Sequence, residues 1–340
     1  MTANENRYAR QQVLPEIGKE GQERLAGSTV LILGYGALGC VHGELLARTG
    51  VGRIRLVDRD LVELTNLHRQ IAFDENDALS LTPKVEAAER RLRAINSTIA
   101  IEAHALDVTP RNLEPLLDSV DVVLDATDNF ETRYLLNDAS VKLEKPWIYG
   151  GVIGTEGVTM PILPGKGPCL RCLIPAAPMP GSVPTCDTSG VLNAAVAVIA
   201  SWQVTAALRL LVGSPPPEVR LTALDPWNGA CNSFKVDRAA ACPCCWQGKF
   251  EFLDAKRTTW TTVLCGRNAV QVTPPQAVTL DARALTERLG RVGRVTRGGL
   301  LLRFQTGDVE MAIFPDGRAI IMGTTDEAKA RTLYAKYLGT

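Results

Sequence analysis

The segment 29-TVLILGYGALGCVHGELLARTG-50 admits few folds. An apolar run, Thr29 to Leu33, breaks into Gly34, Gly36 and Gly39, continues as a helical stretch to Gly50, and is followed by a second apolar run, 53-RIRLVD-58. Strand, glycine turn, helix and strand in that order make one βαβ unit, and the continuous apolar character of both runs suits a parallel sheet covered on both faces. Gly34 gives the tight turn, Gly36 lets a ligand approach the backbone, and Gly39 lets helix pack on strand. The helix N-terminus then offers unpaired N–H groups to phosphate oxygens. Asp58 ends the second strand 19 residues after the last glycine (58 − 39), where a carboxylate hydrogen-bonds ribose hydroxyls. The spacing alone says NAD or FAD, with a glycine turn kept only for packing as the alternative.

The pattern repeats downstream. 82-TPKVEAAERRLRAIN-96 reads as a helix with Thr82 as N-cap and Pro83 in its first turn. A strand is expected in 100-AIEAHALDV-108, a short helix from Pro110 to Leu117, and a strand in 120-VDVVLDATDN-129. Such alternation implies a doubly wound, mostly parallel α/β sheet. Residues 165–190 are rich in proline and read as a mobile loop without regular helix. The apolar run 193-NAAVAVIASWQVTAALRLLVG-213 has the length of a bilayer span. Ser201, Gln203, Thr205 and Arg209 mark it instead as a buried helix of a core or dimer interface. Strands follow in 218-EVRLTALDP-226 and 232-NSFKVD-237.

Composition shifts after 241-ACPCCWQGKF-250, which divides the chain into residues 1–248 and 249–340. The second part reads as a small α+β domain. Its helices lie in 280-LDARALTERLG-290 and 325-TDEAKARTLYAKYLG-339, and its strands in 299-GLLLRFQTG-307, 309-VEMAIFPDG-317 and 318-RAIIMG-323. A hairpin is expected at Asp316-Gly317.

The 37 basic and 37 acidic residues produce no global field toward nucleic acid or an anionic membrane. The polar N-terminus lacks the apolar core of a secretion signal, so a cytoplasmic protein is expected. Only three histidines are present, His42, His68 and His104, and two lie on expected helix or strand, which leaves a Ser-His-Asp or Cys-His triad with little support.

What surrounds the glycines points away from redox chemistry. Residues 59-RDLVELTNLHRQ-70 bring Asp60, Asn66, Arg69 and Gln70 close to the same phosphates, unless the stretch is only a solvated loop. Lys84 sits in the first turn of a helix, where the macrodipole disfavours a cation by about 0.3–1 kcal/mol, and a phosphate would compensate it; an ordinary solvated lysine is the alternative. Asp128 follows a strand's carboxyl end, as a hard oxygen ligand for Mg²⁺ or as N-cap of a helix starting near Glu131. Adenylation of a carboxylate needs no general base, because the nucleophile is already ionised. It needs charge neutralisation and in-line placement, which these residues can supply.

Cys169-x-x-Cys172 and Cys242-x-x-Cys245 form two knuckles with the spacing of a closed tetrahedral zinc site; a redox dithiol or buried thiols are the alternatives, and Cys244 is left out. Cys186, alone in the proline-rich loop, is either a nucleophile or passive. Cys40, Cys231 and Cys265 read as packing residues.

Together, "RYARQ", "GYGALG", "VDRDLVELTNLHRQ", "TPK", "DATDN" and the paired knuckles resemble the ThiF/MoeB/HesA family, bacterial relatives of ubiquitin-activating enzymes, from about Arg7 to Gly248. The resemblance implies a homodimer that uses ATP and Mg²⁺ to adenylate the C-terminal glycine of a ubiquitin-like sulfur-carrier protein of ThiS or MoaD type, releasing pyrophosphate. A sulfur donor such as a cysteine desulfurase, and thiamine, molybdopterin or a related thio-cofactor as the end product, are part of that implication. It places Gly34, Gly36 and Gly39 at the nucleotide, Asp58 at the ribose, Asn66, Arg69 and Lys84 at the phosphates and Asp128 at Mg²⁺. Cys169, Cys172, Cys242 and Cys245 match the zinc ligands. Arg10 matches an arginine that reaches the partner subunit's ATP, and Cys186 a cysteine that some members link to the carrier. Eukaryotic relatives carry a rhodanese domain after this region; its persulfide loop is not found here. Two other readings stay open: an NAD-dependent oxidoreductase, which leaves Arg69, Lys84 and the knuckles without a task, and a non-catalytic carrier-binding scaffold.

Overall fold

The apolar runs become strands buried at nearly every position, and their order places the glycine turn. In the computed structural model, which describes residues 7–176, 189–216, 218–254, 261–263, 268–274 and 279–338, the chain divides into two units, Met1–Ala255 and Lys256–Thr340. The first holds an eight-stranded sheet in the order β3-β2-β1-β4-β5-β6-β7-β8. Its strands are β1 Thr29–Leu33, β2 Arg53–Val57, β3 Ala100–His104, β4 Val122–Asp125, β5 Trp147–Ile153, β6 Glu156–Ile162, β7 Arg220–Asp225 and β8 Ala230–Lys235. β1 to β5 run parallel; β6, β7 and β8 are added antiparallel. Strand order reverses between β1 and β4, so a crevice opens beyond the carboxyl ends of these two strands.

Helices cover both faces. On one lie α2 Ala37–Thr49, α3 Lys84–Ile95 and α5 Asn193–Leu211, with Leu38, Val41, Val152, Ala195, Ile199 and Leu224 between α2, α5 and the sheet. On the other, α4 Phe130–Lys142 and the short turn Leu113–Leu116 bury Leu31, Leu33, Val123, Tyr134 and Leu135. A further helix, α1 Gly18–Gly27, precedes β1.

Three local expectations are corrected. Thr82 does not cap α3; Pro83 occupies the cap position, held extended by a β-bridge to Leu61, and the Thr82 carbonyl accepts the Val62 N–H at 2.8 Å. Among its described residues the proline-rich stretch contains the helical turn Leu170–Leu173, fitted between Pro168 and Pro175; residues 177–188 of the expected loop lie outside the described residues. The hairpin β5–β6 was not anticipated, because Gly150, Gly151, Gly157 and Pro161 interrupt its apolar alternation.

α5 is long and apolar enough to cross a membrane by length and composition, yet in this unit it packs on β4, β5, β6 and α2. Gln203 on its buried side donates through Nε2 to the carbonyls of Asp125 (2.8 Å) and Ile148 (3.1 Å). Its oxygen therefore faces His42 Nε2 at 2.9 Å, which requires the proton on that nitrogen. Burial lowers the His42 imidazole to about 4, the bond to Gln203 working the other way. Above about pH 6.5 both folded and unfolded chains hold the ring neutral; as pH falls, the unfolded chain takes the proton first. The stability from a neutral His42 is thus complete above pH 6.5 and is lost toward pH 4, about 3 kcal/mol in all. Urea unfolding at pH 7 and pH 4.5 should show this loss in the natural protein and a smaller one in His42→Gln. Equal losses would refute the assignment.

The second unit has strands β9 Thr261–Val263, β10 Ala269–Val272, β11 Arg294–Gly298, β12 Leu301–Thr306, β13 Val309–Ile313 and β14 Ala319–Met322. They form one antiparallel sheet in the order β11-β12-β13-β14-β10-β9. Helices α6 Ala282–Leu289 and α7 Glu327–Leu338 close its core around Val270, Leu285, Leu302, Phe304 and Ile321. Asp316 and Gly317 do turn the chain between β13 and β14, with Gly317 at φ 85°. β9, β10 and β11 were not read from sequence; β11 is an exposed edge without apolar alternation.

Candidate functional site

The glycine turn is built from inside the crevice. Gly34 adopts φ 87°, and a Cβ there would lie 2.7 Å from the Ala126 carbonyl beyond β4. A Cβ on Gly39 would overlap the Gly34 carbonyl. Gly36, at the cap position of α2, is different: a Cβ would meet only Gln70 Nε2, at 3.8 Å. Two glycines are thus demanded by packing, whereas the third leaves room beyond a helix N-terminus, where N–H groups and dipole favour an anion.

Asp58 ties this turn to the next strand. Its carboxylate accepts the Tyr35 N–H (2.6 Å) and the Asp60 N–H (2.7 Å). Burial pushes the Asp58 carboxyl up, while Lys84 and the two N–H groups pull it down. Lys84 is buried with Nζ 3.1 Å from the Asp60 carboxylate. The anion that offsets the helix dipole is therefore Asp60, a partner the sequence reading did not assign to it. Asn66 is buried, its Oδ1 accepting the Glu63 N–H at 3.1 Å. Gln70 is 4% exposed, and its Oε1 meets no hydrogen-bond donor among the described residues. Arg69 is half-exposed and donates through Nη1 to the Thr65 carbonyl at 2.9 Å.

The motif 125-DATDN-129 carries two aspartates with opposite circumstances. Asp125 is fully buried; it accepts the Thr127 N–H (2.9 Å) and hydroxyl (2.7 Å) and pairs with Arg133 Nε at 3.1 Å. Arg133 also reaches the Thr127 and Gly150 carbonyls, its guanidinium 5.4 Å from the Phe130 and Tyr149 ring centres. Asp128 is exposed and makes no hydrogen bond or ion pair among the described residues. It does not cap α4: Asn129 does, accepting the Thr132 N–H at 2.8 Å. Its charge is felt by Arg59 and Arg133. Burial opposes the charge on Arg59, but Asp107, Asp60, Asp128 and Asp58 outweigh it and raise its pKa. Asp125, Arg59 and Arg133 escaped the sequence reading; the only signal was their adjacency to Asp58 and Asp128.

Contacts thus connect Gly36 to Gln70 and the glycine turn to Asp58, Asp60 and Lys84, whereas Asp128 acts on this group through its charge, felt by Arg59. Arg10 stands apart, exposed on the turn Ala9–Gln12. Neighbouring Tyr8 packs on Gly50 and accepts from Asn96 Nδ2 (2.8 Å), and Gln11 donates to the Thr49 carbonyl (3.0 Å). These anchors lie at the C-terminal ends of α2 and α3. With thirteen residues in α2, they are about 20 Å from the glycine turn of the same chain.

The sulfurs of Cys169, Cys172, Cys242 and Cys245 lie within 4.8 Å of one another, with neighbours at 3.9, 3.5 and 3.4 Å. Tetrahedral zinc with bonds of about 2.3 Å sets sulfurs about 3.8 Å apart, so the set fits. The adjacent Cys169 thiol and burial push Cys172 up to about 12, so this thiol keeps its proton near neutrality unless a cation displaces it. Buried Asn137 of α4 joins both knuckles: its Oδ1 accepts the Leu170 N–H (2.8 Å) and its Nδ2 donates to Cys244 Sγ (3.2 Å). Cys244 is thus held outside the ligand set. Cys40 is buried and Cys231 exposed on β8. Cys186 and Cys265 lie outside the described residues.

The model of the ThiF family matches residues 8–244. The chain is 42% identical over 339 residues to the sulfur carrier protein ThiS adenylyltransferase of Bacillus subtilis, covering 98% of this chain and 99% of that protein. It is 40% identical over 246 residues to the sulfur carrier protein adenylyltransferase of Thermus thermophilus, 71% of this chain and 90% of the relative. Among solved structures, E. coli MccB with MccA-N7isoASN superposes with a TM-score of 0.64 at 24% identity, over 72% of this chain and 75% of that one, a likeness of fold.

Proposed function

Because the chain belongs to the ThiF family, we propose that it is an adenylyltransferase acting on a ubiquitin-like sulfur-carrier protein of ThiS or MoaD type, with ATP as the nucleotide. The observation that carries this reading is the pairing of an open helix N-terminus at Gly36 with an uncommitted carboxylate, Asp128, across the crevice between β1 and β4. A nicotinamide cofactor would have no use for that carboxylate.

In the reaction, a carboxylate oxygen of the carrier's C-terminal glycine attacks the α-phosphorus of ATP. The bond to the oxygen bridging the α- and β-phosphates breaks, and pyrophosphate leaves with the electron pair. Asp58 retains lone pairs for the ribose hydroxyls while its oxygens hold the turn. The N–H groups at Gly36 face the phosphates; Gln70 and Asn66 line the approach. Lys84 and Arg69 neutralise the triphosphate, Lys84 by sharing its charge between Asp60 and the nucleotide. Asp128 would hold Mg²⁺, which supplies Lewis-acid neutralisation of phosphate charge. No general base is required, so no histidine need be near.

Arg10 cannot reach the nucleotide of its own chain across the length of α2, and we assign it to the partner protomer's site in a homodimer. Arg10→Ala and Asp128→Ala proteins should each be inactive, and after mixing and subunit exchange about a quarter of the natural activity should return, since half the dimers have one complete site. No recovery after verified exchange would place Arg10 in cis or outside the reaction.

The function is tested by exchange of labelled pyrophosphate into ATP with purified ThiS- and MoaD-type carriers and Mg²⁺. Exchange that depends on a carrier with a C-terminal Gly-Gly, and an acyl-adenylate in its mass spectrum, are expected. Their absence with both carriers, or tight NAD binding without ATP binding, would sink the reading.

A further inference from the structure

Gln203 stands fully buried on a face of α5 otherwise made of Ala195, Val196, Ile199, Ala200, Val204 and Ala207. An apolar side chain would pack there without desolvating an amide, so its polarity calls for a reason. The parallel ladder between β4 and β5 ends at Leu124 and Ile148. Just past that end, the Gln203 amide bonds the Asp125 carbonyl on one strand and the Ile148 carbonyl on the other, while its oxygen holds His42 of α2. Gly150 on β5 has no side chain because any Cβ would overlap this amide.

The two things so joined are the two halves of the phosphate-facing crevice. His42 lies six residues after Gly36, about 9 Å along the axis of the helix whose N-terminus faces the phosphates. Asp125 begins the turn that ends at Asp128. Its carboxylate is fixed by Thr127 and Arg133; its carbonyl is fixed by Gln203.

We propose that Gln203 is a positioning residue: its amide clamps the carboxyl end of β4 to β5 and to the glycine-turn helix, and so sets where the Asp128 carboxylate stands relative to Gly36. The inference rests on the adenylation reading, since Asp128 takes its role from it. Displacing the amide removes the donor that the Asp125 and Ile148 carbonyls share and lets the strand ends move. Misplacement of a reacting centre by about 1 Å can cost about a hundredfold in rate.

The test uses full-length protein and carrier-dependent pyrophosphate exchange, with Mg²⁺ titrated. Gln203→Met, close in volume, should lower kcat by about tenfold or more and raise the half-saturating Mg²⁺ concentration by about tenfold, while KM for ATP stays within about threefold. Gly150→Ala keeps every polar group but pushes on the amide, and should show the same split. In Gly150→Ala/Gln203→Ala the added methyl has room, so the double variant should match Gln203→Ala alone. A folded Gln203→Met with natural kcat and Mg²⁺ dependence overturns the proposal. If Gln203→Met does not fold, the glycine variants decide: additive losses in the double variant overturn it. No exchange by the unaltered protein would instead overturn the adenylation reading and this inference with it.

Discussion

Asp128→Ala is expected to cut carrier-dependent exchange of pyrophosphate into ATP by about 10³-fold or more while leaving the melting temperature unchanged. A carboxylate in an exposed turn, with no hydrogen bond or ion pair among the described residues, gives the fold only a screened attraction to Arg59 and Arg133, too weak for its removal to move the melting temperature. Its value lies in the charge it would gather at the triphosphate, and single electrostatic contacts of that kind carry about 10²–10³ in rate even without a metal. The contrast is with Asp125, three residues earlier. Asp125→Ala would strand the Arg133 guanidinium in the interior without its carboxylate, a loss of about 3–5 kcal/mol for a broken buried pair. Calorimetry and exchange kinetics on both variants separate the roles. An Asp128→Ala protein that melts early, or that retains exchange, removes the basis for the mechanism.

Loss of the paired cysteine knuckles should act on stability first. The four cysteines connect the Leu170–Leu173 turn to the segment around Cys242–Cys245, and Asn137 carries that junction onto α4. The same region is fastened by Arg171 to Glu251 at 3.0 Å and by the Phe252 N–H to Asp138 at 2.8 Å. Structural zinc binding is worth about 10–16 kcal/mol in small zinc domains, part of which a larger core replaces. Cys172→Ser should cost about 5 kcal/mol here and lower the melting temperature by about 10–20 °C. The protein should contain one zinc per chain by elemental analysis, and Cys172→Ser far less. Cys244→Ser should keep the metal, because Cys244 bonds Asn137 and lies beside Cys169 without being one of the four mutually close sulfurs. A Cys172→Ser protein with full zinc and an unchanged melting temperature would remove the site.

Parts of the candidate site were written locally. Gly34, Gly36 and Gly39 are spaced for one turn between a strand and a helix, and Asp58 follows because β2 starts where α2 ends. The two C-x-x-C pairs announce their own pairing, since each knuckle is complete within four residues. Other parts needed the third dimension. That Lys84 finds its anion in Asp60 depends on the bridge between Leu61 and Pro83, which also displaced Thr82 from the cap. That Asn129 caps α4 and leaves Asp128 uncommitted is a choice between adjacent side chains which spacing cannot make.

What the sequence alone determined is therefore what repeats within a few residues: a doubly wound α/β unit with a glycine turn, four cysteines in ligand spacing, and a second small α+β unit. What only the tertiary structure decided is which distant groups face one another, namely Gln203 with Asp125, Ile148 and His42, Asp125 with Arg133, and Arg10 a helix length from the glycine turn of its own chain. The physical reason is range. Backbone periodicity and capping act over one or two turns and are written in neighbouring residues, whereas burial pairs polar groups according to strand order, which no local stretch of the chain contains.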